Sequence, residues 1–191
     1  MNHFFAYLNR MKYIRRWSLM HSTTEENIME HSTIVAMLAH NLALVGNTYF
    51  GKHYNAERAA VLGLFHESAE VVTGDLPTPI KYYNPQINGA YKELEAVAEQ
   101  KLLSMLPQEL QPLYAPLVSA DRTTEEYRLM KYADKLAAYL KCVEEIKVGN
   151  SEFARAKEAL ERDLKGFASP EVDYFLQHFA EGYRLTLDEL V

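Results

Sequence analysis

Asn55-Ala56-Glu57-Arg58-Ala59-Ala60-Val61-Leu62-Gly63-Leu64-Phe65-His66-Glu67-Ser68-Ala69-Glu70-Val71-Val72 is the stretch that decides the fold. Asn55 offers a capping oxygen, and the run from Ala56 to about Val72 is apolar nearly all round, the mark of a central rather than a surface helix. Its polar exceptions gather at the far end, in His66-Glu67-Ser68-Ala69-Glu70.

The rest of the 191-residue chain supports the helical reading. It holds 24 Leu, 21 Ala and 20 Glu against 17 Val plus Ile. The first three lose little side-chain freedom in a helix, whereas β-branched residues suit a pleated surface. With 48% hydrophobic and 12% aromatic residues, the chain can fill a sizeable core. The expectation is an all-α, single compact helical bundle of about seven helices, with residues 1–191 forming one domain. The first helix is expected from about His3 to Ile14. Thr23-Thr24-Glu25-Glu26 reads as the capped start of a second, running to about Val45. Gly74, Pro77 and Pro79 break the pattern after Val72. Further helices are expected over about Ile87–Leu106, from Thr123-Thr124-Glu125-Glu126 to Val148, and over Glu152–Leu164 and Pro170–Tyr183. Residues 107–122 read as short helical turns.

Composition excludes several classes of function. A single cysteine, Cys142, rules out an internal disulfide framework or a multi-thiolate zinc site and fits a reducing cytoplasm. The longest apolar run, Ile34 to Leu44, is broken by His40 and Asn41, so no membrane span is expected. Nor is a signal peptide. A net charge of −6 argues against a nucleic-acid polymer as partner. Residues 1–24 nevertheless carry Arg10, Lys12, Arg15 and Arg16 and no acid, a positive arm on an acidic body.

Four polar sites interrupt apolar helical surroundings: Glu30-His31-Ser32, His66-Glu67-Ser68-Ala69-Glu70, the Gly74-Asp75-Leu76-Pro77-Thr78 loop, and Asp134. Buried imidazoles and carboxylates need partners, because desolvating even a neutral polar group costs roughly 2–7 kcal/mol. His31 and His66 are either core histidines bonded to carbonyls or, with the carboxylates, ligands of one divalent ion. Imidazole plus carboxylate suits Mn²⁺, Co²⁺, Fe²⁺ or Zn²⁺. On a continuous helix His66 and Glu70 share a face, with Glu67 about 100° round. The zinc-protease signature needs a second His where Glu70 stands, and di-iron bundles need Glu-x-x-His pairs that the chain lacks.

Asn27-Ile28-Met29-Glu30-His31-Ser32, His66 through Pro79 and Lys131-Tyr132-Ala133-Asp134, in that order, resemble the bacterial HD-domain 5′-deoxynucleotidases of the YfbR type. The likeness extends to Arg16-Trp17, to Tyr139-Leu140-Lys141-Cys142 and to Asp173-Tyr174-Phe175, and so covers most of the chain. The resemblance implies an all-α, HD-domain-like homodimeric enzyme that removes phosphate from 2′-deoxyribonucleoside 5′-monophosphates with a divalent metal, Co²⁺ or Mn²⁺ being the expected ions. It implies His31, His66, Glu67 and Asp134 as metal ligands. It places Arg16, Trp17, Asp75, Leu76, Pro77 and Thr78 at the substrate. Glu70 is expected to assist the attacking water or else to orient a ligand histidine. Asp75 is expected to protonate the leaving oxygen, bind the sugar hydroxyl, or simply make a turn. The departure is Glu67, where the family has Asp. Two alternatives follow: another phosphorylated small molecule as substrate, or a nucleotide-binding module whose catalysis Glu67 has weakened.

Overall fold

The computed structural model describes residues 1–81 and 83–190. Among them the chain is helical, with one isolated antiparallel bridge, Arg15 to Asn27. Three helices form the centre: α2 (Ile28–Tyr49), α3 (Ala56–Phe65) and α8 (Glu125–Lys147). Around them lie α1 (Phe4–Leu8), α4 (Glu70–Thr73), α5 (Thr78–Lys81), α6 (Pro85–Leu103), α7 (Gln111–Val118), α9 (Ala154–Gly166) and α10 (Pro170–His178). The all-α expectation holds. The segments outnumber the expected seven because long sequence patterns are divided and Thr78–Lys81 adds a single turn despite Pro79.

The core joins Val35, Leu38, Ala39 and Leu42 of α2 to Ala59 and Leu62 of α3 and to Leu129, Ala133, Leu136 and Leu140 of α8. Gly63 sets the α2–α3 spacing. A Cβ there would lie 2.7 Å from the backbone N and Cα of Ala36, so only glycine allows this approach. α2 is also long and apolar enough to cross a membrane by length and composition, which corrects the expectation that no segment meets that test. Its buried face, however, packs on α3 and α8. A second cluster seats Phe4 of α1 against Leu102, Leu103, Leu106 and Val118. Cys142 is wholly buried, and burial pushes its thiol up to about 12.

Local chemistry explains where the helix boundaries differ from expectation. Asn55, Asn84 and Thr124 cap their helices by accepting from Arg58, Ile87 and Tyr127 backbone N–H groups. α2, however, starts at Asn27, whose side chain accepts from the Met29 and Glu30 N–H groups while the Glu30 carboxylate accepts from the Asn27 N–H. Thr23 and Thr24 are engaged elsewhere. The Glu145 carboxylate, buried on α8, accepts from the Thr23 N–H (2.9 Å), the Thr23 hydroxyl (2.6 Å) and the Thr24 N–H (3.2 Å). It also accepts from Lys141 Nζ (2.5 Å) and Asn150 Nδ2 (2.9 Å). Residues 15–27 thus form a strap across the helices. Arg16 N–H donates to the Glu26 carbonyl (2.9 Å) at its base, and Glu145 pins its tip.

Burial raises the Glu145 carboxyl, but the donors from Lys141, Thr23 and Asn150 outweigh it and hold the group far below the usual carboxylate range. A depressed folded-state value stabilises the fold above the unfolded value, and that contribution disappears as pH falls towards the folded one. Glu145→Gln should therefore lower stability most above about pH 5, by about 1–3 kcal/mol for charge-assisted bonds lost. Urea unfolding of parent and variant should converge as the solution is acidified.

Candidate metal centre

The central helices bring four of the expected residues together. His31 Nε2, His66 Nε2, a Glu67 oxygen and an Asp134 oxygen all lie within 4.8 Å of one another. His31 projects from the first turns of α2, and its side chain is wholly buried. His66 and Glu67 follow the last residue of α3, while Asp134 is near the middle of α8. The expected continuous helix from Ala56 to Val72 is interrupted here. Tight bonds from Ser68 N–H to the Phe65 carbonyl (2.9 Å) and Glu70 N–H to the Glu67 carbonyl (3.0 Å) replace it across residues 66–69. His66 and Glu70 therefore do not share the face of one helix. The break carries Glu67 to within 3.7 Å of both imidazoles.

The donor set fits a divalent cation. His66 Nδ1 donates to the Gly63 carbonyl (2.8 Å), which fixes the tautomer and leaves an Nε2 lone pair directed to the cluster. His66 Nε2 and Glu67 Oε2 are buried and have no hydrogen-bond partner among the described residues. Asp134 divides its oxygens. Oδ1 accepts from His31 Nε2 at 3.0 Å and lies 3.8 Å from His66 Nε2, while Oδ2 accepts from Lys131 Nζ at 2.5 Å. The site is thus two imidazoles and two carboxylate oxygens in one buried place, a set suited to a first-row transition ion.

The electrostatics show how these charges coexist. Burial disfavours ionisation of Asp134, yet Lys131 and the neighbouring imidazoles hold its carboxyl well below the usual range. Burial and then Arg16 disfavour charge on His31, but Glu67, Asp134 and Glu26 outweigh them and hold the imidazole up to about 9. Burial drives the Glu70 carboxyl well above its ordinary value, with Glu67 and Asp75 adding to the effect. Its Oε2 is also buried and has no hydrogen-bond partner among the described residues. Asp75 is likewise raised, chiefly by burial, against the pull of Arg16 and Lys81.

The expected substrate residues divide into two groups. Arg16 is largely buried, in an ion pair with Glu67, and its Nε lies 3.5 Å from Glu26 Oε2. Trp17 donates its indole N–H to Glu26 Oε2 at 2.9 Å and is held at φ 59°, a backbone conformation costly for a bulky residue. Asp75, Leu76 and Pro77 lie outside the four-donor cluster, in the loop that Gly74 opens at φ 72°, and Thr78 follows as the first residue of α5. There the Pro77 carbonyl accepts from Ile80 and Lys81, closing the turn of α5. Tyr132 stacks on Phe167 and Tyr139 is buried, so both pack against the core. Two residues given no role from the sequence touch the site: Glu26 and Lys131. Lys131 stands three places before Asp134 on α8, a spacing that puts both on one face. Glu26 gave no such signal, since its pair with Glu25 reads as the first turn of a helix.

Fold and site together define an HD-domain phosphohydrolase. An enzyme of that description from Listeria innocua superposes with a TM-score of 0.78 at 25% identity, over 95% of this chain and 88% of its own. A cyanophage S-2L HD phosphohydrolase bound to dA and one catalytic Zn²⁺ ion shares the fold at 23% identity, with a TM-score of 0.63 over 93% of this chain and 94% of its own. Within that class the chain belongs to the 5′-deoxynucleotidase YfbR-like family, whose model matches residues 3–183. A 5′-deoxynucleotidase of Vibrio vulnificus (strain YJ016) is 56% identical over 99% of this chain and 98% of its own length.

Asp134 supports the His31 charge next after Glu67, through a direct contact with Nε2. Asp134→Asn should bring the metal-free His31 imidazole down from about 9 towards the ordinary histidine range, read as the midpoint of its ring-proton NMR shift.

Proposed function

We propose that this chain, acting as one domain over residues 1–191, is a metal-dependent 5′-deoxynucleotidase. It converts a 2′-deoxyribonucleoside 5′-monophosphate and water to a deoxynucleoside and phosphate. The observation that carries the reading is the buried cluster of His31, His66, Glu67 and Asp134 beside an arginine, in a chain of the YfbR-like family. Those four residues would hold one divalent cation, with Co²⁺ or Mn²⁺ the ions to try first. Such an ion supplies positive charge that offsets a phosphoryl oxygen and eases deprotonation of water.

The remaining chemistry belongs to the chain. The Arg16 guanidinium binds phosphate oxygens in a bidentate way that a lysine cannot reproduce. Glu70, raised by burial beside two acids, takes the proton from the attacking water. Water adds to phosphorus opposite the ester oxygen, and the bond from phosphorus to the 5′-oxygen breaks. Asp75, also raised, returns a proton to that oxygen as it leaves. Trp17 provides a rigid wall that excludes a ribose 2′-hydroxyl by its bulk. Leu76, Pro77 and Thr78 complete the substrate loop after Gly74. The substrate is a mononucleotide, with neither a nucleic-acid polymer nor a membrane as partner. The enzyme works as a homodimer in the cytoplasm.

One observation favours a second reading, a nucleotide-binding module with weakened catalysis. The longer Glu67 side chain is already paired with Arg16, the group that would otherwise face phosphate. Phosphate release separates the readings. With Co²⁺ or Mn²⁺, dAMP should be hydrolysed at least about tenfold faster than AMP, and a chelator should abolish the reaction. Asp134→Asn should cost at least about 100-fold, because even groups that only support a metal ligand typically cost 10–100-fold. Equal or faster release from AMP overturns the deoxy selectivity. Preferred hydrolysis of phosphodiesters or pyrophosphorylated nucleotides points instead to another substrate class. Binding without turnover, restored by Glu67→Asp, establishes the module.

A further inference from the structure

Glu26 occupies an unusual position. One of its oxygens, Oε1, lies 3.3 Å from His31 Nδ1. The other, Oε2, accepts from the Trp17 indole N–H at 2.9 Å and lies 3.5 Å from Arg16 Nε. Its backbone carbonyl accepts from the Arg16 N–H at 2.9 Å. Its side chain is only 10% exposed, and His31 is fully enclosed. One carboxylate therefore spans two units that the chain could otherwise move independently: the imidazole at the start of α2, and the strap bearing Arg16 and Trp17.

We propose that Glu26 is a positioning residue that locks the His31 imidazole and the Arg16–Trp17 strap into one rigid unit, so that metal affinity and sugar selectivity depend on the same carboxylate. The proposal rests on the nucleotidase reading above for what the unit does, while the lock itself is visible in the side chains. With Glu26 accepting from His31 Nδ1, Nε2 is the nitrogen that faces Asp134 and the cluster, so the carboxylate fixes the ring orientation and keeps the Nδ1 proton in place when Nε2 gives up its own. On the other side, the bond to the indole holds Trp17 at φ 59°, a conformation that persists only where its surroundings enforce it. The neighbouring Glu25 shares none of this: it is exposed and paired with the exposed Arg15.

Glu26→Gln tests the lock, because the amide keeps the shape but has a single oxygen to serve two N–H donors. Trp17 is the chain's only tryptophan, so its fluorescence reports the strap directly. The metal-free variant should be quenched by iodide at least about twofold more readily than the parent. Its Kd for Mn²⁺, by calorimetry, should rise about 10–100-fold. Its preference for dAMP over AMP should fall, while Glu25→Gln matches the parent throughout. A Mn²⁺ Kd within twofold of the parent overturns the proposal, whether or not the strap loosens, and so does an unchanged Trp17 with weakened metal. If Glu26→Gln loses its helical signal, Trp17→Phe takes its place: a Mn²⁺ Kd raised at least about threefold supports the lock, and an unchanged one overturns it. A parent that binds no Mn²⁺ sinks the nucleotidase reading alone. In that case the lock stands or falls on metal-free Trp17 quenching.

Discussion

Two imidazoles and two carboxylates buried within 4.8 Å of one another are the constraint to which the rest of the molecule answers. Ionisable groups so placed are costly unless each finds an opposite charge or a proton. Lys131 pairs with Asp134 and Arg16 with Glu67, and the carboxylates around His31 favour its charged form. His66 Nε2 and Glu67 Oε2, without a hydrogen-bond partner among the described residues, are the groups a cation would satisfy. The core provides the rigidity this requires. α2, α3 and α8 each carry ligands or adjoin them, and the glycine contact at Ala36 brings α2 and α3 close enough for His31 and His66 to stand with ring centroids 5.5 Å apart.

The strap of residues 15–27 shows how fold stability and site geometry are joined. Its tip is fixed by Glu145, far along α8 from Asp134, and its base by Glu26 and the bridge from Arg15 to Asn27. Nothing in its composition makes it a regular element. It owes its order to two buried carboxylates that accept its backbone and side-chain N–H groups. Arg16 and Trp17 thus belong to a loop tied to the helices at both its tip and its base.

Much of this was legible in the sequence where a residue's role depends on its near neighbours. Caps at Asn55 and Thr124 and the apolar faces of the central helices follow from local chemistry. His31, His66, Glu67 and Asp134 stood out as polar residues in apolar surroundings, and the family resemblance joined them. What escaped depends on contacts across long separations. Thr23 and Thr24 have the chemistry of a helix start but are taken by a carboxylate 121 or 122 residues away, so α2 starts at Asn27 instead. The break after Phe65 was hidden because the residues themselves favour helix, and only the turn at His66 shows that Glu67 is turned towards His31. Glu26 was invisible for the same reason as the strap: its partners are chosen by tertiary position.

The most direct measurement is a crystal structure of the protein grown with Mn²⁺, with anomalous scattering collected at the manganese edge. The account predicts a single strong peak within bonding distance of His31 Nε2, His66 Nε2, a Glu67 oxygen and Asp134 Oδ1, with Arg16 turned from Glu67 towards the place of the substrate phosphate. No peak there, or one coordinated by other residues, would contradict it.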